Sequence, residues 1–367
     1  MLDSVEKADF GLQNARMFQS GYILSRRDDL IWFIGLPFLA IGAALAMQHW
    51  LPAIAMASIT LLITAPHHFV TWLRTYGIAE DRRRWKIRLI AGPAVLIALV
   101  AAGATWAPLT LALMAILWDH QHSVMQQYGF ARIYDFKART GGPLSNRFDL
   151  WLGWILYLNL LITAPLFTRF WVSELVRWNL TPSVELVQTI QLSSWLVAAL
   201  FLAVYTGQTL RDLRAGYCVN PVKLLFISAS YFLWYFTSWQ TDSILVFGIA
   251  HRIMHGLQYI VIVYWYIRRK SLIDEEHRLT QAEQLVSPGR ILRFVVACLI
   301  YAVAFQLLLG QPLERFGFGL VNFAGRIDLD NAYHVYAESV FSVVALTHYY
   351  FDSFIWKVRE QSTQSGL

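Results

Sequence analysis

The sequence predicts an all-α protein: a polytopic transmembrane helix bundle of about ten spans, with a histidine-rich metal site in the cytoplasmic half of the membrane. Three observations carry that expectation. The 367 residues are 57% hydrophobic and only 15% charged, with a mean hydropathy of +0.45, where a soluble chain carries about 25% charged residues. Apolar runs of the length that crosses a bilayer, about 20 residues, recur along the whole chain. Eight of the ten histidines fall inside those runs. The 15 Trp, 17 Tyr and 23 Phe suit a chain with many positions at the membrane–water interface.

Residues 1–29 carry Asp3, Glu6, Lys7 and Asp9 before any long apolar run, so they form a cytoplasmic N-terminal segment rather than a signal peptide. A short amphipathic stretch around Phe10, Met17 and Phe18 suits the membrane surface, a mobile tail being the alternative. The spans are expected at 30–48, 52–73, 88–106, 108–127, 148–167, 192–210, 222–240, 243–267, 291–310 and 332–356, with Pro52 and Pro108 at helix starts. They make one domain over 30–356, followed by a cytoplasmic tail over 357–367.

Lys and Arg are strongly asymmetric between alternate connections. One set holds Arg26 and Arg27, Arg74 to Arg88, Arg132 to Arg147, Arg211 to Lys223, Arg268 to Arg290, and Lys357 with Arg359. The other set holds only Arg169, Arg177, Arg315 and Arg326. By the positive-inside rule both termini are cytoplasmic, in a multi-pass protein of a bacterial-type inner membrane. The net charge of +6 is thereby explained by basic loops on one membrane face, without a nucleic-acid partner. Residues 268–290, with Asp274, Glu275, Glu276 and Glu283, read as a cytoplasmic surface helix, and 168–190 and 311–331 as the main outer loops. Cys218 and Cys298 give neither a disulfide framework nor a paired metal motif.

His49 at a helix end and His277 in a loop need no explanation. The eight others are His67, His68, His120, His122, His251, His255, His334 and His348. A single intramembrane histidine is most often a hydrogen-bonding residue between helices, but a group of them is costly in hydrocarbon and points to function. Counted from the basic end of each span, seven of them lie roughly 9–25 Å deep at 1.5 Å per residue. His334 lies about 21 Å from His348 along its helix and falls outside that layer.

His251 and His255 are i,i+4 and share a helix face, a common two-ligand arrangement. His348 and Asp352 repeat that spacing with a carboxylate; Asp352 as a ligand competes evenly with Asp352 as a rim charge beside Lys357. His120 and His122 are about 200° apart on a regular helix, so one of them faces away from a common site unless the helix is distorted. Asp119 and His122 (i,i+3) are better aligned. His67 and His68 are about 100° apart and follow Pro66, which is expected to kink the helix end. Asp119, Gln121, Gln126 and Gln127 are candidates to hydrogen-bond the ligands. Glu338, Tyr259, Tyr349 and Tyr350 read as packing residues.

Imidazole with carboxylate suits iron, zinc, copper or manganese, and the two isolated cysteines argue against thiolate zinc or iron–sulfur sites. Seven histidines and one or two carboxylates exceed what one ion holds, so two ions in a shared site are expected.

The HxxxH form of His251 and His255, with the His67–His68 doublet, resembles the boxes of membrane histidine-box di-iron oxygenases: fatty acid desaturases, alkane hydroxylases and sterol-type hydroxylases. That resemblance implies two irons, dioxygen, a lipid or other hydrophobic substrate that is hydroxylated or desaturated, and a separate electron-donor reductase. The chain departs from that family in having no HxxHH box and in placing its histidines inside spans. The HxxxH pair in a multi-spanning chain is also similar to membrane carotene-cleaving dioxygenases of the bacteriorhodopsin-related type, which implies one iron and no reductase.

Two non-enzymatic readings stand beside the oxygenase. Haem ligation would need histidines paired across facing helices, which adjacent His67–His68 and His120/His122 fit badly. A metal or proton transporter would need polar groups leading to both faces, whereas the outer half offers only Asp242, His334 and Glu338, and no inverted repeat is visible.

Overall fold

The computed structural model describes residues 17–273, 280–287, 290–309 and 332–367, which are helical with no strand among them, only an isolated bridge between Phe18 and Val219. Helix α1 spans Arg26–Trp50 and contains a π-helical turn over Leu30–Gly35. There follow α2 (Ala53–Gly77), α3 (Ala79–Arg84), α4 (Lys86–Trp106), α5 (Pro108–Ala138), α6 (Ser145–Thr163) and α7 (Pro165–Arg177). The chain continues with α8 (Val184–Arg214), α9 (Pro221–Gln240), α10 (Ile244–Ile273), α11 (Gln281–Leu285), α12 (Ile291–Leu309), α13 (Ala332–Ile355) and α14 (Gln361–Gln364).

The helix starts follow local chemistry. Pro108, Pro165 and Pro221 occupy the first turns of α5, α7 and α9, where the missing N–H costs nothing. Ser183 accepts from the Leu186 N–H at the start of α8, and Thr280 with Glu283 forms a reciprocal capping box on α11. Pro66, expected to kink a helix end, lies inside an unbroken α2.

Among the described residues, α1, α4, α8 and α10 are long and apolar enough to cross a membrane, and the bent pair α6–α7 adds a fifth if counted as one span. The other expected spans fall on the helices α2, α5, α9, α12 and α13, outside that set. Within the span expected at 148–167, α6 stops at Thr163 and the chain turns by 67° into α7. Pro165 is the cause, since it disfavours the helical region for Ala164, which is extended at ψ 133°. Helix α7 also occupies part of the expected 168–190 loop. Of the expected surface helix, α10 takes residues up to Ile273 and α11 takes five; residues 274–279, including Asp274, Glu275, Glu276 and His277, lie outside the described residues. So do Phe10 and the 311–331 loop, while Met17 and Phe18 are both exposed. His334 and Glu338 fall on α13, with their side chains outside the description.

Helix α10 is the axis of the bundle. It packs on α1, α2 and α9 and is largely buried. Helix α8 is the opposite case, packed mainly on α6 and otherwise exposed, and it presents Leu192, Leu196, Leu200 and Val204 outward. Such all-round apolar helices fit a membrane protein. Helix α13 packs on α4, α2 and α5 and closes the site. Gly256 permits the approach of α10 to α2: a Cβ there would meet the Ile63 Cγ2 at 3.2 Å, with the His67 Cβ at 3.8 Å.

At the basic end, buried charges tie four helices. Lys223 of α9 donates to Asp135 of α5 at 2.9 Å and to Asp149 of α6 at 3.0 Å, Arg132 pairs with the same two carboxylates, and Tyr205 of α8 donates to Asp149 at 2.8 Å. Each charge is matched, which is the condition for keeping it buried.

Candidate metal centre

Four helices each aim one histidine at a common point. His67 on α2, His122 on α5, His255 on α10 and His348 on α13 are all buried, and one ring nitrogen of each lies within 4.8 Å of the others. The Nε2 of His348 is 2.6 Å from the Nε2 of His67 and 3.2 Å from that of His122. The ring of His255 stands 4.8 Å from that of His67 and 5.0 Å from that of His122. Asp352, one turn beyond His348, places Oδ2 at 3.9 Å from the Nε2 of both His122 and His348.

Hydrogen bonds orient His348 from the side nearer the basic end, while the Nδ1 atoms of His67 and His255 have no hydrogen-bond partner among the described residues. The His348 Nδ1 is 2.7 Å from the Thr71 hydroxyl, which donates to the Tyr259 hydroxyl at 3.0 Å; Tyr259 in turn donates to Asp352 Oδ1 at 2.6 Å. The Thr71 proton is shared between Tyr259 and the His67 carbonyl at 3.3 Å, so the hydroxyl oxygen accepts from an Nδ1–H of His348. That tautomer leaves the His348 Nε2 lone pair facing the other imidazoles. Trp356 adds an Nε1–H toward Tyr259 at 3.4 Å, and Gln126 donates to the His255 carbonyl at 3.0 Å.

The other sequence candidates lie around this group. His68 is buried with its ring 5.3 Å from that of His348, and its Nδ1 has no hydrogen-bond partner among the described residues. His251 stacks on His255 at 5.3 Å, but its Nδ1 accepts from Trp234 at 2.7 Å and its Nε2 faces Ser123 at 3.1 Å. His120 is directed to the Tyr157 hydroxyl at 2.6 Å. The roughly 200° between His120 and His122 is thus realised by a regular helix with His122 in the group and His120 outside it. Asp119 accepts from Tyr349 at 2.7 Å, and the Tyr349 ring stacks on His122 at 4.7 Å. Gln127 donates to Gln258 at 3.1 Å and accepts from Ser230, while Gln121 is exposed.

Sequence reasoning missed Thr71 and Trp356 and read Tyr259 as packing. Their signal was the same i,i+4 step used for the histidines: His67 to Thr71, His255 to Tyr259, Asp352 to Trp356. Each lies one turn from a site residue and on the same face.

The donor set fits a cation. The His348 Nε2 faces two other Nε2 atoms, and a neutral imidazole nitrogen offers either one N–H or one lone pair, so no arrangement of protons gives both contacts a full hydrogen bond. Metal–nitrogen bonds of about 2.0–2.1 Å would hold the nitrogens roughly 3.3 Å apart, within a small opening of the group as it stands. The donors are nitrogen with one nearby carboxylate, a set that suits iron, zinc, copper or manganese. No family model, curated protein or solved structure matches the chain.

Proposed function

We propose that this chain is a membrane-embedded, histidine-ligated iron oxidoreductase that uses dioxygen on a lipid or other hydrophobic substrate. The observation that carries the reading is the convergence of His67, His122, His255 and His348 from four helices on one buried point beside Asp352. A merely structural histidine satisfies its nitrogens with neighbours, as His251 does with Trp234 and Ser123; the four converging nitrogens face each other instead. Bound iron would supply the activation of dioxygen. The chain's own contribution is to hold the ligands, keep water out of an apolar bundle and place a carboxylate, Asp352, where it can join the ligands or carry a proton. The reading takes ten spans with both termini cytoplasmic, in keeping with the charge asymmetry of the connections.

Two forms of the reading differ in metal number. The compactness of the four nitrogens, all within 4.8 Å, favours one ion and the dioxygenase-like form, which needs no reductase. The hydroxylase or desaturase form places a second ion against His68 and Asp352 and draws electrons from a separate reductase. Metal analysis of the purified protein with an absorption spectrum tests both. One iron per chain without a Soret band supports the first form and two irons the second. A Soret band overturns both in favour of haem, and absence of any transition metal after reconstitution removes the metal centre altogether.

A further inference from the structure

The buried Tyr259 ring packs against two of the four converging histidines, its centroid 4.4 Å from that of His67 and 5.2 Å from that of His348. Its hydroxyl makes three hydrogen bonds. It donates to Asp352 Oδ1 at 2.6 Å, and accepts from Thr71 at 3.0 Å and from the Trp356 indole at 3.4 Å. Tyr349 is the nearest comparison, stacked on His122 at 4.7 Å and donating to Asp119 at 2.7 Å, but its oxygen accepts no hydrogen bond among the described residues. Beyond Tyr259 the aromatic contacts continue to Trp356 at 5.9 Å, and from there to Tyr266 at 5.6 Å. The buried Arg74 guanidinium is set against both outer rings, 3.5 Å from the Trp356 centroid and 4.1 Å from that of Tyr266.

We propose that Tyr259 is a redox-active residue that gives one electron to the metal centre and its proton to Asp352. The Tyr259 O–H bond breaks. The electron goes to a one-electron oxidant at the four-histidine group, iron oxidised by dioxygen or peroxide, and the proton goes to the Asp352 carboxylate. Tyr259 becomes a neutral phenoxyl radical, Asp352 a carboxylic acid, and the oxidant is reduced by one electron. A phenol that lost an electron and kept its proton would leave a positive charge in an apolar interior, which is costly. The carboxylate at 2.6 Å is within the reach that proton transfer needs. Thr71 and Trp356 remain in place to donate to the phenoxyl oxygen. Arg74 confines the radical: a hole on Trp356 or Tyr266 would set positive charge against a buried guanidinium, where like charges repel strongly. This assignment rests on the reading of the protein as an iron oxidoreductase and names a residue that shares its electron transfer.

The test is electron paramagnetic resonance on the full-length, iron-loaded protein in detergent, frozen after brief exposure to hydrogen peroxide, with iron content measured on the same samples. The wild type should give an organic radical signal that narrows when the protein carries ring-deuterated tyrosine. Tyr259→Phe, compared at equal iron occupancy reached with excess iron, should lose that signal, and Tyr349→Phe should keep it. Thr71→Val and Trp356→Phe each remove a donor to the phenoxyl oxygen, so both should keep the radical and raise its largest g-value at high field. That shift identifies Tyr259 even if Tyr259→Phe fails to fold. A signal undiminished in Tyr259→Phe, a signal lost in Tyr349→Phe instead, or g-values unmoved in both donor variants overturns the assignment. If iron loads and no tyrosine radical forms, the assignment alone fails. If no iron loads, the oxidoreductase reading fails and takes the assignment with it, since the oxidant is then missing.

Discussion

The Nε2 atoms of His67 and His348 face each other at 2.6 Å although the residues are 281 positions apart. The Nδ1 of the same His348 ring is engaged with Thr71, four residues beyond His67 on α2. One helix face therefore both presents a candidate ligand and sets the tautomer of the ligand opposite. Metal-binding imidazoles commonly carry an orienting bond of this kind on the remote nitrogen.

This arrangement separates the histidines into two groups that metal analysis can tell apart. Ala at His67, His122, His255 or His348 should each strip the metal. His120→Ala and His251→Ala should keep near-normal content, because their rings are engaged by Tyr157 and by Trp234 and Ser123. Atomic absorption on the purified variants decides it; loss of metal in His251→Ala with retention in His255→Ala would reverse the assignment.

Tyr259→Phe removes the donor to Asp352 and the acceptor of Thr71 while preserving the ring. Metal affinity should fall roughly 10- to 100-fold, the usual cost of an orienting partner. Thr71→Val should give a loss of similar size, and the double variant should lose less than the product of the two, since both act on one hydrogen-bonded chain. A chelator competition series measures all three.

His334 and His348 share α13 but stand about 21 Å apart along its axis. His334→Ala should therefore leave metal content unchanged where His348→Ala abolishes it. Asp352→Asn should lower affinity if the carboxylate joins the ligands and behave as wild type if it is only a rim charge.

Asp81 on α3 is buried, with Oδ2 at 3.8 Å from the Arg74 Nε. Burial pushes its carboxyl above the usual range, and Arg74 pulls against that rise. The folded state thus holds the Asp81 proton to higher pH than the unfolded state, whose value is about 3.9. The stabilisation is complete below that value and is lost as pH rises through the folded pKa. The melting temperature in detergent should fall more as pH rises above about 4 for the wild type than for Asp81→Asn, in which that proton exchange is absent. Parallel curves for the two proteins would contradict it.

Reporter fusions test the proposed topology. A fusion at residue 180, between α7 and α8, and one at the C-terminus should report opposite faces of the membrane. Finding both on one face would break the ten-span arrangement.

Much of this was legible in residue order. Apolar run length and low charge indicate helices, and the depth count from basic connections puts seven histidines in one layer. The i,i+4 step pairs His348 with Asp352, because side chains one turn apart share a helix face whatever surrounds them. What lies opposite that face is a different matter. Periodicity assigns His251 and His255 to one side of α10, yet His255 meets His67 and His122 while His251, one turn away, meets Trp234 of α9 and Ser123 of α5. Likewise the 200° between His120 and His122 says that one must leave the site, and only the packing of α5 between α6 and α13 sends His120 to Tyr157 and His122 to His348. Helix geometry is local, set by backbone hydrogen bonds within a few residues, so it can be read from spacing. The partner across an interface is set by which helices pack together and at what rotation, and that is a property of the assembled bundle alone.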